Sequence, residues 1–351
     1  MKKLIYLLSA GLLFCFMATA CGGSKKSEES KAATTTSAVE SNGKIVLAYV
    51  TGHGNKLPDP AYMTHINYAF GHVNETFNGV NISNEGRLRE IVGLKKQKPS
   101  LKVLLSIGGW TSGRFSEMAA TEETRNAFAK DCGDIVKNFG LDGIDMDWEY
   151  PTSSEAGISS SPDDIENYNL LMKAIREAIG NDKLLTLASA ANHIFYDFKT
   201  LMNYIDFVNL MTYDMARVPN HQSALYRSEM APKRYGDAAV KLHVEAGVPM
   251  DKLVLGMPFY GRGRLELTDY VDYRDLIHLK GFTEKWDDDA KVPYLENAKG
   301  EVVLVFDNPR SLTIKCDYIK EKGMLGAMYW EYNCDDAEGT LRNTVWNNMN
   351  N

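Results

Sequence analysis

The strongest constraint on the fold is an alternation of short apolar runs with longer amphipathic segments, which continues from residue 44 almost to the end of this 351-residue chain. The runs are rich in β-branched and aromatic residues, as buried strands are. Eight occur: KIVLAYV (44–50), INYAFGHV (66–73), KVLLSIGGW (102–110), GIDMDWEY (143–150), LLTLASAA (184–191), FVNLMTYD (207–214), LVLGMPFYG (253–261) and GAMYWEY (326–332). This order predicts repeated βα units around a parallel sheet.

The segments between the runs carry helix boundary signals. In TEETRNAFAKDCGDIVKNFG, Thr121 is placed to cap the first turn and Gly140 to end the helix. DDIENYNLLMKAIREAIG has aspartates in its first turn and Gly180 after its last. Each gap between runs has room for a parallel crossover. Eight such units predict an α/β fold, a single (β/α)8 TIM barrel.

One further run, VVLVFD (302–307), breaks the alternation. It follows VPYLENAKGE, in which Asn297 to Gly300 has the composition of a tight turn. The pattern predicts a short β-hairpin insertion between strands 7 and 8, on the rim where barrels of this type keep their sites.

The first forty-three residues predict export and not folded structure. Residues 1–20 have lysines at positions 2 and 3, continue with an apolar run and end in small residues, which is the pattern of a signal peptide. Together with Cys21 they resemble a bacterial lipoprotein signal, in which that cysteine is acylated. Residues 22–43 lack aromatic residues and are rich in Ser, Thr, Lys and Glu, which is typical of a flexible tether.

The predicted organisation is therefore a signal peptide (1–20), a lipidated Cys21 with a flexible linker (21–43), and a catalytic barrel (44–351). A lipid anchor at Cys21 would hold the barrel at a membrane of the bacterial cell envelope, either the outer membrane or the cell surface. An unlipidated secreted protein is the alternative.

The net charge argues against one class of partner, and the cysteine spacing indicates the state of the thiols. A net charge of -7 and a pI near 5.6 argue against nucleic-acid binding, which requires a basic face. Cys132, Cys316 and Cys334 show no C-x-x-C spacing. We expect buried free thiols, with a Cys316–Cys334 bridge as the alternative, and a monomer without a cofactor.

The run GIDMDWEYP (143–151) places acidic residues at alternate positions of a predicted strand. Asp145, Asp147 and Glu149 therefore share one face, and the apolar residues between them suit the helix-covered outside of a barrel. The acids must point inward, where burial and like charge raise the pKa of carboxyl groups. We expect at least one retained proton. Glu149, nearest the carboxyl end of the strand, is the candidate general acid.

Two other interpretations of the acidic strand are open. Ion pairing with Lys or Arg is one, although surface pairing does not require three acids on one inward face. A divalent metal site is the other. The chain has no H-x-H or H-E-x-x-H motif and its seven histidines are scattered, so we predict no metal.

At this point the residues resemble a known family. LDGIDMDWEYP (141–151) is similar to the D-x-x-D-x-D-x-E signature of glycoside hydrolase family 18, the chitinases and their relatives, with Asp142, Asp145, Asp147 and Glu149 at its acidic positions. Further matches follow in family order across nearly the whole domain. They are SIGGW (106–110), MTYD (211–214), GMPFYGR (256–262) and MYWEY (328–332).

The resemblance implies a retaining, substrate-assisted hydrolysis of β-1,4 bonds in polymers or oligosaccharides of N-acetylglucosamine. The carbonyl oxygen of the substrate's own 2-acetamido group attacks, and an oxazolinium ion forms. Glu149 would protonate the leaving oxygen, Asp147 would hold the acetamido N–H, and Asp145 would share a proton with Asp147. Tyr213 would position the acetamido group. Asp142, off the inward face, would support the strand.

The same resemblance implies a set of carbohydrate-binding residues. Trp330 would form the floor beneath the reacting sugar, and Met211 and Asp214 would line the same subsite. Weaker matches are Tyr49, Phe70, Trp110, Tyr260 and Arg262, and ordinary core packing is the alternative for each aromatic residue. Polymers without an N-acetyl group, such as cellulose and starch, should not be cut.

Three points stay open. Only about forty-five residues separate Arg262 from a helix near Pro309, which predicts a shallower groove than many family members have, and cleavage inside the chain. An endo-β-N-acetylglucosaminidase acting on protein N-glycans would use the same chemistry. A family lectin would bind sugar without cutting it, although the presence of Glu149 argues for an enzyme.

Overall fold

The computed structural model describes residues 43–54 and 56–350. The predicted signal peptide, Cys21 and all of the linker except Gly43 lie outside the described residues. Within these two ranges, no helix combines the length and the apolar character that a membrane crossing requires.

Eight parallel strands form a closed barrel, as predicted. The first strand pairs in parallel with both the second and the eighth, which closes the ring. The barrel strands are Ile45–Thr51, His65–Val73, Lys102–Gly108, Gly143–Asp147, Leu184–Ala190, Phe207–Met211, Leu253–Pro258 and Gly326–Trp330. Most end earlier than the sequence runs suggest, and the fourth ends at Asp147. Glu149 therefore lies in the loop that follows the strand.

Helices cover the outside of the barrel. The α-helices are Glu85–Gly93, Phe115–Ala119, Glu122–Phe139, Asp164–Ile179, Phe198–Leu201, Gly236–Glu245, Tyr273–Leu276, Pro309–Lys322 and Thr340–Asn350, and short 3-10 helices span Pro60–Tyr62, Leu94–Lys96, Met250–Lys252 and Tyr332–Cys334. The predicted caps are confirmed: the Thr121 side chain accepts a hydrogen bond from the Thr124 N–H, and Gly140 ends that helix with a φ of 69°.

The fourth strand has the predicted alternation of faces. Ile144, Met146 and Trp148 are buried in the apolar layer between the barrel and its helices. Asp145 and Asp147 point into the barrel and are 0% and 4% exposed. The acidic side chains are thus in the interior of the protein, with apolar packing behind them.

The insertion between the seventh and eighth barrel strands is a five-stranded antiparallel sheet. The predicted hairpin is part of it, because Val292–Glu296 pairs with Val302–Val305. The sequence did not predict its other strands, Tyr260–Gly263, Tyr270–Asp272 and Thr283–Asp287. The sheet has its own apolar core of Val271, Leu276, Leu295, Val303, Leu304 and Phe306. One more short strand, Val80–Ile82, pairs antiparallel with the second barrel strand.

The cysteines of the barrel are buried free thiols. Cys132, Cys316 and Cys334 are all unbridged. This confirms the preferred prediction, and the alternative of a Cys316–Cys334 disulfide is wrong.

Candidate active site

A cleft of about 430 Å³ opens at the carboxyl ends of the barrel strands. Every predicted site residue of the barrel lines it except Asp145, which lies fully buried within the barrel. The predicted residues in its wall are Tyr49, Phe70, Trp110, Asp147, Glu149, Met211, Tyr213, Asp214, Tyr260, Arg262 and Trp330. The structure thus brings together residues from seven of the eight strand ends.

Asp145 is surrounded by hydrogen-bond donors from other barrel strands. Its Oδ2 accepts from the hydroxyls of Tyr49 and Ser106, both at 2.8 Å. Its Oδ1 accepts from Thr186 Oγ1 at 2.5 Å and from Asn209 Nδ2 at 3.1 Å. Burial raises the pKa of this carboxyl, and the four hydrogen bonds oppose that rise.

Asp147 lies under different conditions two residues further along. Its Oδ1 is buried and has no hydrogen-bond partner among the described residues. Burial holds the pKa of Asp147 well above its usual range, and the charges of Glu149 and Asp145 raise it further. The hydrogen bonds to Asp145 all come from other residues, so a proton shared between the two aspartates stays a prediction.

Glu149 is half-buried and faces the cleft. Burial raises its pKa to about 7, with a smaller contribution from the negative charge of Asp214 and an opposing hydrogen bond from Tyr150. A carboxyl group with a pKa near neutrality keeps a proton available to donate at physiological pH. The predicted rise in pKa is therefore found at all three carboxyl groups of the fourth strand and its loop.

The third strand passes very close to the fourth through the glycines of SIGGW. Gly108 has a φ of 131°, and a Cβ at this position would lie 2.0 Å from the Asp147 carbonyl oxygen. The Gly109 N–H donates to that same oxygen at 2.8 Å. Only glycine permits this approach. The next residue, Trp110, reaches the rim of the cleft, where its side chain is 55% exposed.

Aromatic residues make up much of the cleft wall. Trp330 stacks on Phe70, with ring centroids 5.5 Å apart and an interplanar angle of 21°, and also packs against Tyr49 at 5.7 Å. Tyr49 is 1% exposed and its hydroxyl is bonded to Asp145, so it is both a core residue and a support for the acidic cluster. Broad apolar ring faces are suited to contact with flat apolar groups of a ligand.

Tyr213 and Arg262 come from the sixth and seventh strand ends. Burial, with the charges of Asp147 and Glu149, raises the pKa of Tyr213 well above its usual value, so its hydroxyl remains a hydrogen-bond donor. Arg262 binds Asp214 through two hydrogen bonds of 2.6 Å and Asp269 through one of 2.8 Å. Asp214 and Arg262, each predicted as a binding residue, form a bidentate ion pair at the wall of the cleft.

The cleft also contains residues that the sequence did not single out. These are Tyr150, Glu155, Ala190, Ala191, Asn192, Phe195, Met215, Arg217, Arg234 and Tyr270. Tyr150 stands inside the acidic motif and stacks on Phe195 at 4.8 Å. Tyr150 ends one predicted barrel strand, and Asn192 and Phe195 follow another, so the positions of these three residues were an available signal. Tyr270 had no such signal, because it lies in the unpredicted part of the insertion.

Comparisons with known proteins agree with this geometry. A profile of glycosyl hydrolases family 18 matches residues 42–335. The chain is 33% identical to chitinase A1 of Niallia circulans, over 82% of this chain and 55% of that protein. It is 32% identical to chitotriosidase-1 of Mus musculus, over 81% of this chain and 70% of that protein. It thus spans little more than half the length of chitinase A1.

Solved structures show the same likeness. A family 18 N-acetylglucosaminidase from Paenibacillus barengoltzii superposes with a TM-score of 0.79 at 35% identity, over 87% of this chain and 100% of that one. A chitinase from Bacillus thuringiensis gives a TM-score of 0.80 at 28% identity, over 88% and 70%.

Proposed function

The chain belongs to glycosyl hydrolases family 18 and is a chitinase-like glycosidase, and on this basis we propose that it cleaves β-1,4 bonds in N-acetylglucosamine polymers or oligosaccharides. The observation that carries the proposal is the position of Glu149. It lies in the loop just past the carboxyl end of a barrel strand, faces the cleft with a pKa of about 7, and comes two residues after Asp147, which is buried inside the barrel together with Asp145.

The proposed reaction is retaining and substrate-assisted. Glu149 donates its proton to the leaving oxygen while the acetamido carbonyl oxygen of the substrate attacks the anomeric carbon. The glycosidic C–O bond breaks, and an oxazolinium ion forms. Glu149, now ionised, then takes a proton from the water that opens this ring. The product keeps the configuration of the substrate.

Asp147 supports this assignment because it is badly placed to be a nucleophile. Asp147 ends the strand that Glu149 follows, so both carboxyl groups would approach a sugar from the same side. Retaining enzymes with two carboxylates place the acid and the nucleophile on opposite sides of the sugar. We propose that Asp147 accepts a hydrogen bond from the acetamido N–H and stabilises the positive charge of the oxazolinium ion. Asp145 would share a proton with Asp147.

The remaining wall residues are assigned to substrate binding. Tyr213 would donate to the acetamido oxygen, and Trp330, backed by Phe70, would lie beneath the reacting sugar. Met211 and the Asp214–Arg262 pair would border the same subsite. Trp110 at the rim would contact a sugar further along the chain.

The assignment of the acid is tested by Glu149→Gln in the full chain, with chito-oligosaccharides as substrate. Removing a general acid should lower kcat by about 10²- to 10⁴-fold while oligosaccharide binding persists. Glu177→Gln is the matched control, because this exposed glutamate lies on the helix after the fourth strand and pairs with Lys173 at the surface. Full activity in Glu149→Gln would refute the assignment.

The same preparation separates the alternatives. Release of glycans from a glycoprotein, with no cleavage of chito-oligosaccharides, would favour an endo-β-N-acetylglucosaminidase. Binding without any hydrolysis would favour a lectin. Cleavage inside the chain should give mixed product lengths from the first minutes, and a single dominant small product would contradict it. Cello-oligosaccharides, which lack the acetamido group, should not be cut.

We also propose that Cys21 carries a lipid anchor and that the linker to residue 43 holds the barrel away from the membrane. The support is the sequence pattern alone. Replacement of Cys21 by Ser should move the protein from the membrane fraction to the soluble fraction. An unchanged distribution would contradict the anchor and favour a secreted protein.

A further inference from the structure

Tyr270 is a cleft residue supplied by the insertion sheet and not by the barrel. Its strand, Tyr270–Asp272, pairs antiparallel with Tyr260–Gly263, which follows directly after the seventh barrel strand. The residue is 37% exposed and lines the cleft.

The Tyr270 ring is fixed on several sides. One face stacks on Tyr260, with centroids 4.2 Å apart and planes 12° apart. The hydroxyl lies 3.3 Å from the sulfur of the buried Cys334. The Arg262 guanidinium lies 5.3 Å from the ring centroid. Because Tyr260 covers one face of the ring, the other face and the edges are left for contact with a ligand in the cleft.

A fixed, exposed aromatic face in a cleft is suited to binding a sugar. A β-linked sugar ring presents axial C–H groups as an apolar face, and contact between two such faces removes both from water. The ring pays little conformational entropy on binding, since its contacts with Tyr260 and Cys334 already hold it in place.

The position of Tyr270 decides which sugar it contacts. Tyr213, assigned above to the acetamido group, packs edge-on against Tyr260 with centroids 6.3 Å apart. Tyr270 lies beyond Tyr260 in this row of rings. A sugar on Tyr270 is therefore a different unit from the one that reacts, and a substrate must be long enough to reach both places.

Resting on the proposed function, we propose that Tyr270 is a sugar-stacking residue that makes the cleft prefer longer N-acetylglucosamine oligosaccharides. Cys334 is a positioning residue for it, acting through the bond to the Tyr270 hydroxyl. Through Tyr270, the insertion then contributes one binding subsite.

The test measures oligosaccharide affinity as a function of chain length in the full chain carrying Glu149→Gln, which prevents turnover. N-acetylated chito-oligosaccharides from the disaccharide to the hexasaccharide are titrated by calorimetry. Adding Tyr270→Ala should weaken binding of the longest oligosaccharides about tenfold, and change binding of the shortest less than about twofold. Tyr270→Phe should keep most of the affinity, because the ring and its stack on Tyr260 remain.

Tyr294→Ala is the matched control. Tyr294 lies in the same insertion sheet, packs against His221 and is not part of the cleft wall. It should leave the length dependence unchanged, and thermal unfolding shows whether each variant is folded. A separate kinetic test uses the active chain, in which Glu149 is retained. There, Cys334→Ala should reduce kcat/KM for long substrates and leave kcat unchanged.

Two results would overturn the inference. One is an unchanged affinity for long oligosaccharides in folded Tyr270→Ala; the other is an equal loss at every chain length, which would mean that Tyr270 only supports Tyr260. A failure of the proposed function looks different. In that case the chain with Tyr270 intact would neither bind nor cleave any oligosaccharide of the series, and the assignment of Tyr270 would fall with it.

Discussion

Two sites in this protein hold buried acidic side chains, and the two sites differ in what surrounds those side chains. Asp307, just after the insertion sheet, is completely buried, and the equally buried Lys315 donates to both its oxygens at 2.7 and 2.8 Å. The hydroxyls of Ser223 and Ser311 also donate to it. Inside the barrel, the donors to Asp145 are neutral, and Asp147 has an oxygen without any partner among the described residues.

The difference separates a structural site from a chemical one. A buried charge is tolerated when a counterion and hydrogen bonds replace its water, which is the case at Asp307. Among the residues that the structure describes, no cation pairs with the acids of the barrel, and burial raises the pKa of each carboxyl group. The first arrangement fixes the insertion against a barrel helix. The second keeps a proton available at the cleft at a cost in stability.

The largest expected effect comes from breaking the paired site. Lys315→Met leaves the Asp307 carboxylate buried without its cation, which should lower the free energy of unfolding by about 3–5 kcal/mol at pH 7. Urea denaturation measures this change. The kcat of the folded fraction should stay at the wild-type value, because Lys315 is remote from the cleft wall.

Lys320→Met is the control for this variant. Lys320 lies on the same helix, pairs with Asp317 at 3.1 Å, and both side chains are exposed. Surface pairs of this kind are worth about 0–1 kcal/mol. Equal losses of stability in the two variants would show that burial of the Asp307–Lys315 pair is not what matters.

The opposite pattern is expected at Asp147. Asp147→Asn keeps the shape of the side chain and removes a carboxyl group whose pKa is raised in the folded protein, which lowers stability at neutral pH. The free energy of unfolding at pH 7 should therefore be unchanged or higher. Turnover of chito-oligosaccharides should fall about 10²- to 10³-fold, because the amide cannot balance the charge of the oxazolinium ion. Steady-state kinetics and urea denaturation of one preparation measure both effects.

Asp142→Asn is the matched control near the same strand. Asp142 accepts hydrogen bonds from Lys95 Nζ at 2.7 Å and the Val103 N–H at 2.9 Å, at the end of the strand remote from the cleft. This change should cost about 1–2 kcal/mol of stability and leave kcat unaltered. If Asp147→Asn behaves like Asp142→Asn, the two acids are equally structural and the contrast with Asp307 disappears.

The sequence predicted the barrel site better than the paired site because of how each is encoded. Alternation within one strand places Asp145 and Asp147 on the inner face, and strand order brings the carboxyl ends together. These are local patterns. Glu149 was predicted at the strand end and lies just past it, since strand boundaries depend on pairing with neighbours that single-strand patterns do not contain.

The insertion could not be predicted to the same depth. The strand TEKWD, Thr283–Asp287, has no apolar run and exists because it pairs with Val292–Glu296. The contact of Tyr270 with Cys334 joins residues 64 positions apart, and that of Ser223 with Asp307 joins residues 84 apart. Contacts of this range follow from packing and have no periodic signal in the chain.

The smallest expected effect is a pH dependence of stability that Glu149 confers. The pKa of Glu149 is about 7 in the folded protein, against about 4.3 for glutamate in an unfolded chain. Between these values the folded state holds a proton that the unfolded state has lost. Raising the pH through this window should therefore lower the free energy of unfolding, on the order of 1–3 kcal/mol. Glu149→Gln cannot titrate, so its stability should exceed that of the wild type by more at pH 8 than at pH 4.5, as urea denaturation at a series of pH values would show.

Activity should fall above pH 7 for the same reason, since the general acid is then ionised. Parallel stability profiles for wild type and Glu149→Gln would mean that Glu149 is ionised in the folded protein at neutral pH, as an acid with its own counterion would be.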